Sequence, residues 1–75
     1  MEKKSVLAQR FGAHVRELRL ERGLSQEELA FGCARSLNYT SEIETGKRNP
    51  TLDTIGPICA ALGVKMSDML AAVGE

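Results

Sequence analysis

The apolar residues of this chain recur at intervals of three and four, and no stretch alternates apolar and polar residues with a period of two. A period near 3.6 is that of an amphipathic helix, whereas a half-buried strand has a period of two. The pattern therefore predicts a compact all-α protein with a single domain over residues 1–75. Five helices are expected at about 6–22, 26–32, 37–45, 52–62 and 66–73, after a frayed start over residues 1–5.

The stretch Ser25–Gly46 carries the clearest local signals, for two short helices joined by a tight turn. Ser25 followed by Glu28 is a capping box, in which each side chain accepts a hydrogen bond from the other residue's backbone N–H. Ser36 is the N-cap candidate of the second helix, and Gly46 is its expected end. A helix of this length spans about 13 Å, close to the width of the DNA major groove. The stretch is typical of a helix-turn-helix whose second helix enters that groove.

The outer helices are expected to bury one apolar stripe each. The first stripe is Leu7, Phe11, Val15 and Leu18, and the fourth helix contributes Leu52, Ile55, Ile58, Cys59 and Leu62. Pro57 lies inside the fourth helix, where it lacks an N–H and its ring clashes with the carbonyl four residues earlier. We therefore expect a kink or a loosened turn at Pro57.

The fifth predicted helix has more apolar surface than the core of so small a domain needs. Its apolar positions are Val64, Met69, Leu70 and Val73, and Met66 is expected to be exposed. Two interpretations are open: a homodimer contact formed by Met66, Met69 and Val73, or packing of the helix in the core of one protomer.

Composition narrows the class of protein. One tyrosine, two phenylalanines and no tryptophan among 75 residues predict an aliphatic core. No apolar run approaches the roughly 18 residues that span a membrane, and no signal peptide pattern is present, so a cytoplasmic location is expected. Cys33 and Cys59 fit that location as reduced core residues, with a redox switch as the alternative. His14 is the one histidine, which is too little for a metal site, and no cofactor is expected.

The net charge is zero, which argues against a protein that coats nucleic acid. Position changes this picture, because Arg35, Lys47 and Arg48 flank the third predicted helix at its two ends. Clustered cations on a neutral protein suit a specific DNA binder with modest affinity for random DNA.

Side chains on the third predicted helix have the chemistry to read bases. Asn38 can bond to adenine N6 and N7, Glu42 can accept from cytosine N4, and Leu37 can meet a thymine methyl group. Ser41 is compatible with several bases. Gln26 starts a helix, where free N–H groups and the positive end of the helix dipole bind anions. Each assignment competes with simple solvation of an exposed polar residue.

Three segments, VRELRLERGLSQEELA, YTSEIETGKRNPTLDTI and ALGV, resemble the Cro/CI-type helix-turn-helix domains of the XRE family, which have the lambda-repressor-like fold. The similarity covers about Phe11–Leu70. The small size also resembles stand-alone members such as the controller proteins of restriction–modification systems.

The resemblance implies a role for each matching residue. Arg19 and Glu44 match an ion pair that ties the first helix to the third. The residues expected to face bases are Leu37, Asn38, Ser41 and Glu42. The residues expected at phosphates are Gln26, Arg35, Ser36, Lys47, Arg48 and Asn49.

The chain departs from the family pattern around the turn. Ala34 stands where the family usually has glycine, so a left-handed backbone there would be strained. Arg35 follows where a small apolar residue is common, which leaves its side chain available to phosphate. Thr40 replaces the usual isoleucine or valine on the buried side of the third helix.

The expected function is transcriptional regulation by a homodimer on a pseudo-palindromic double-stranded operator, with half-sites about 34 Å apart. RNA polymerase is the further partner that an activator would contact. The alternative is a protein-interaction module on the same fold, such as an antitoxin or an anti-repressor. The sequence has no nucleophile–base pairing, paired carboxylates, metal cluster or glycine-rich phosphate loop, so an enzyme is not expected.

Overall fold

The computed structural model describes residues 5–74, which form five α-helices and no strand. The helices are α1 (Val6–Glu21), α2 (Gln26–Gly32), α3 (Leu37–Glu44), α4 (Leu52–Leu62) and α5 (Met66–Val73). The all-α prediction is confirmed. Helices α1 and α3 each end one residue before the predicted position, because Arg22 and Thr45 occupy their C-caps.

The start of α1 differs from the frayed segment predicted for residues 1–5. Residues 1–4 lie outside the described part of the chain, but Ser5 is the N-cap of α1. Its hydroxyl oxygen accepts a hydrogen bond from the N–H of Ala8 at 3.1 Å. The prediction is therefore wrong for Ser5, whose side chain satisfies one of the unpaired N–H groups at the helix start.

The core is aliphatic, as the composition predicts. Every helix contributes one of the largest side chains that are almost completely buried: Val15, Leu29, Ile43, Leu62 and Met69. Within residues 5–74 no single helix is long and apolar enough to span a membrane; α4 and α5 reach that length and composition only as a pair, bent by 107°.

The buried face of α1 is rotated relative to the predicted stripe. Leu7 is 57% exposed, whereas Ala8 and Gly12 are buried. The cause is a close approach of α3, since a Cβ on Gly12 would overlap the carbonyl oxygen of Ile43. Gly12 therefore faces α3, and Leu7 is left on the outside.

Helix α4 is not interrupted at Pro57. A proline disfavours helical backbone at the residue before it, partly through a clash with that residue's Cβ, and Gly56 has none. The predicted stripe of α4 is buried except at Leu52, which is 69% exposed, while Thr54 is buried instead.

Both cysteines are free and buried, at Cys33 and Cys59. Burial raises the pKa of each thiol above its ordinary value. Because the thiolate is the reactive form, a raised pKa lowers the reactivity of both. This favours the interpretation of the cysteines as core residues over a redox switch.

The turn between α2 and α3 contains Ala34 with φ of 57°, the one positive φ at a residue other than glycine within residues 5–74. A left-handed backbone costs a residue with a Cβ roughly 1–2 kcal/mol. Glycine avoids this cost but loses more backbone entropy on folding. We expect Ala34→Gly to raise the free energy of unfolding by about 0.5–1 kcal/mol, measured by urea denaturation. The matched control is Ala13→Gly on the exposed face of α1, which is expected to lose about 1 kcal/mol. Equal destabilisation by both substitutions would contradict the strain.

Candidate nucleic-acid interface

A buried carboxylate, Glu44 in the last turn of α3, joins three helices. Arg19 of α1 donates from Nε to Glu44 Oε2 at 2.6 Å and from Nη2 to Oε1 at 3.0 Å. Gln26 of α2 donates from Nε2 to the same Oε1 at 3.0 Å, and Arg19 Nη1 also donates to the carbonyl oxygen of Leu24 at 2.8 Å. The hydrogen bond to Glu44 raises the pKa of Arg19, with burial acting in the opposite direction. We call Arg19, Gln26 and Glu44 the brace, because together they fix α2 and α3 against α1.

The brace contains the ion pair that the resemblance implies, and both partners are buried. Gln26, which the sequence assigns to a phosphate, here also joins α2 to α3 through its hydrogen bond to Glu44. Within residues 5–74 no buried side-chain nitrogen or oxygen lacks a hydrogen-bond partner. Helices α1, α2 and α3 are therefore joined by a fully satisfied polar cluster, which is the kind of buried network that rigidifies a fold.

The outward face of α3 begins with residues that are open to solvent. Leu37 is 44% exposed, and Asn38 is exposed. The Asn38 amide makes no hydrogen bond to the described residues, so its donors and acceptor are available to a partner. Ser41 and Glu42, further along the helix, are half-buried.

The N-terminal end of α3 is shaped by Ser36, whose hydroxyl oxygen accepts a hydrogen bond from the N–H of Tyr39 at 3.0 Å. The Arg35 side chain beside it donates from Nη1 to the Ala34 carbonyl oxygen at 3.2 Å. Three exposed polar residues follow the C-terminal end of α3, namely Lys47, Arg48 and Asn49. Five of the six phosphate candidates thus lie just before or just after α3, and the sixth, Gln26, is the first residue of α2.

One contact at this surface was not predicted from the sequence. Arg48 forms an ion pair with Glu42 at 2.7 Å, and its guanidinium carbon lies 4.7 Å from the centre of the Tyr39 ring. Glu42 and Arg48 are six residues apart, which is not a helical spacing. Their contact therefore depends on the path of the chain after Gly46. Two predicted DNA contacts, one for a base and one for a phosphate, are therefore partners of each other in this structure.

The prediction that Met69 and Val73 form a dimer contact is wrong. Their side chains are 1% and 6% exposed and belong to the core of the protomer, and Met66 is half-buried against that core. The large apolar side chain that α5 leaves exposed is Leu70, at 43%. Together with Leu7 it lines an apolar cavity of about 370 Å³ between α1, α4, α5 and the loop before α4.

No group of three or more histidine, cysteine, aspartate or glutamate side chains in residues 5–74 is arranged to hold a metal ion.

The five helices and the brace between α1, α2 and α3 define a helix-turn-helix protein. The family model of the helix-turn-helix domain matches residues 10–73, and the chain belongs to this family. The chain is 49% identical over 61 residues to the control protein C.BamHI of Bacillus amyloliquefaciens, which covers 80% of this chain and 75% of that protein.

Solved structures agree with this assignment. The restriction–modification controller protein C.AhdI from Aeromonas hydrophila matches with a TM-score of 0.80 and 37% identity, over 83% of this chain and 94% of that one. A variant of C.Esp1396I, bound to its highest-affinity operator site, matches with a TM-score of 0.80 and 25% identity, over 95% and 99% of the two chains. The resemblance to helix-turn-helix regulators and controller proteins is confirmed, and these relatives are DNA-binding regulators rather than enzymes.

Proposed function

We propose that this protein regulates transcription by binding a pseudo-palindromic DNA operator as a homodimer, with α3 in the major groove. The observation that carries the proposal is the contrast between the two ends of α3. Ile43 and Glu44 are buried in the core and the brace, whereas Leu37 and Asn38 at the N-terminal end are exposed. The N-terminal residues of a recognition helix are those that contact base edges. The similarity to an operator-bound protein supports this reading.

The side chains at the surface divide into base and phosphate contacts. Leu37 meets a thymine methyl group, Asn38 reads an adenine, and Ser41 and Glu42 lie further along the groove. The residues that contact phosphates are Gln26, Arg35, Ser36, Lys47, Arg48 and Asn49. Phosphate contacts position the protein on the duplex, and the base contacts give it specificity.

The test is selection of bound duplexes from a random library at about 0.15 M salt, where non-specific phosphate binding is weakened. We expect a palindromic motif with half-sites about 34 Å apart. Asn38→Ala should relax one base position in each half-site by about 1–3 kcal/mol of discrimination, and the unchanged positions of the motif are the control. Recovery of no motif by folded protein would refute the proposal and favour a protein-interaction module.

We propose that the dimer forms through Leu70 of α5 and Leu7 of α1, which line one apolar cavity. Leu70→Glu places a charge on that surface and should make the protein monomeric at high micromolar concentration, as measured by sedimentation equilibrium. The matched control is Leu20→Glu, since Leu20 is 52% exposed and lies about 140° around α1 from Leu7. A wild-type protein that is monomeric at that concentration, or equal dissociation by both variants, would contradict this interface.

A further inference from the structure

The ion pair between Glu42 and Arg48 joins a proposed base contact to a proposed phosphate contact. Arg48 directs two nitrogens to one carboxylate oxygen, because Nε lies 2.8 Å and Nη2 lies 2.7 Å from Glu42 Oε1. The other oxygen, Oε2, accepts no hydrogen bond from the described residues. The carboxylate therefore holds a cation with one oxygen and keeps the second available to a donor.

Arg48 is also held from its other side. Its guanidinium carbon lies 4.7 Å from the centre of the Tyr39 ring, within the range of a cation–π interaction. The Tyr39 hydroxyl donates in turn to Oγ1 of Thr54 at 3.2 Å, and Thr54 is buried in α4. Two contacts thus keep the guanidinium against α3.

We propose that Glu42 discriminates between the operator and random DNA by controlling Arg48. On random DNA the carboxylate keeps Arg48 from the phosphates and is itself repelled by them, so non-specific binding is weakened. At the operator a base amino group, cytosine N4 or adenine N6, donates to Glu42 Oε2, which offsets the repulsion. The inference rests on the proposed function, because it assumes that α3 lies in the major groove.

The exposure of the pair fits this role. The side chains of Glu42 and Arg48 are 32% and 49% exposed, and an ion pair in contact with water contributes little to the stability of the fold. The pair can therefore open or change partners without unfolding the domain. A carboxylate on a DNA-binding helix adds no affinity for the phosphate backbone, so any favourable contact that it makes with DNA depends on the base sequence.

The experiment compares Glu42→Gln with Glu17→Gln, which removes the same charge at a distant site. Glu17 is exposed and lies about 140° around α1 from Gly12, the residue that faces α3. The affinities for the selected operator and for a random duplex of equal length are measured by fluorescence anisotropy at several salt concentrations. Circular dichroism establishes that each variant is folded.

We expect Glu42→Gln to bind the random duplex more tightly than wild type, with a salt dependence steeper by about 0.9 in log–log slope, the value for one added phosphate contact. Operator affinity should rise less or fall, so the ratio of operator to random affinity should drop by about threefold or more. In an Arg48→Gln background, the same glutamate substitution should leave the salt slope unchanged.

Three results would overturn the inference. The first is a random-duplex affinity of Glu42→Gln no higher than that of Glu17→Gln. The second is equal strengthening of operator and random binding, which is the effect of charge alone. The third is a steeper salt slope that persists without Arg48. A wild-type protein without any operator preference would instead refute the proposed function itself, and with it the proposed role of Glu42.

Discussion

Replacement of Gly12 by alanine is expected to lower the free energy of unfolding by about 3 kcal/mol. The added Cβ would overlap the carbonyl oxygen of Ile43 and lie 2.9 Å from the carbonyl oxygen of Glu44. Both are backbone atoms at the end of α3, so no side-chain rotation can relieve the overlap. Helices α1 and α3 would have to separate, which also disturbs the brace. A domain of this size has about 4–11 kcal/mol of stability in total, so the loss is a large share of it.

The measurement is urea or thermal unfolding followed by circular dichroism, with an expected fall in Tm of about 15 °C. The control is Gly32→Ala in α2, where the nearest atom to an added Cβ is the Ala61 Cβ at 3.2 Å. There the gain of about 1 kcal/mol in helix propensity opposes a mild contact with a side chain, so the net change should be small. If Gly12→Ala unfolds at the wild-type midpoint, the close approach of α1 and α3 is incorrect.

The helix bounds could be predicted because their signals are local. The capping box at Ser25 is present in both directions, with the Ser25 N–H donating to Glu28 Oε1 at 2.7 Å and the Glu28 N–H donating to Ser25 Oγ at 3.0 Å. Gly46 has the left-handed backbone expected after α3, with φ of 76°. Such features depend on a few neighbouring residues, so the sequence alone determines them.

The choice of buried face could not be predicted with the same success, because it depends on which helix lies opposite. Leu7 has the correct spacing and chemistry for the core, yet Ala8 and Gly12 are buried instead, and Gly12 lies directly against α3. In α5, Met69 and Val73 share the face that enters the core, and Leu70 lies beside them on the exposed side. Because apolar residues lie on two faces of this short helix, the sequence alone does not show which face packs in the core and which remains at the surface.

Within the candidate interface, the residue types and their order along the chain were predictable, whereas the pairing of Glu42 with Arg48 was not. The sequence assigns one to a base and the other to a phosphate, and each assignment is chemically sound taken alone. The two side chains meet across the end of α3, where the backbone of Gly46 is left-handed. A contact of this kind is visible only once the loop path is known.

Glu44→Ala is expected to have the largest effect of any substitution considered, a loss of about 3–5 kcal/mol in the free energy of unfolding. The substitution leaves the Arg19 guanidinium buried without its carboxylate partner, and Gln26 loses the acceptor that ties α2 to α3. The comparison is Glu42→Ala, which breaks an exposed ion pair of similar length and should cost no more than about 1 kcal/mol. Urea denaturation of both variants measures the difference. Similar midpoints for the two would show that the brace contributes no more than a surface pair.

A double variant separates two effects of the brace: its contribution to the free energy of unfolding and its effect on the orientation of α3. Arg19→Met with Glu44→Leu removes both charges together, and a buried ion pair replaced by apolar residues often regains the stability that a single removal loses. Gln26 nevertheless loses its partner on α3, so operator affinity should stay well below wild type in the refolded double variant. Full recovery of both stability and operator affinity would mean that packing alone orients α3. Recovery of stability without affinity would show that the hydrogen bonds to Glu44 hold α3 at the angle that the proposed operator binding needs.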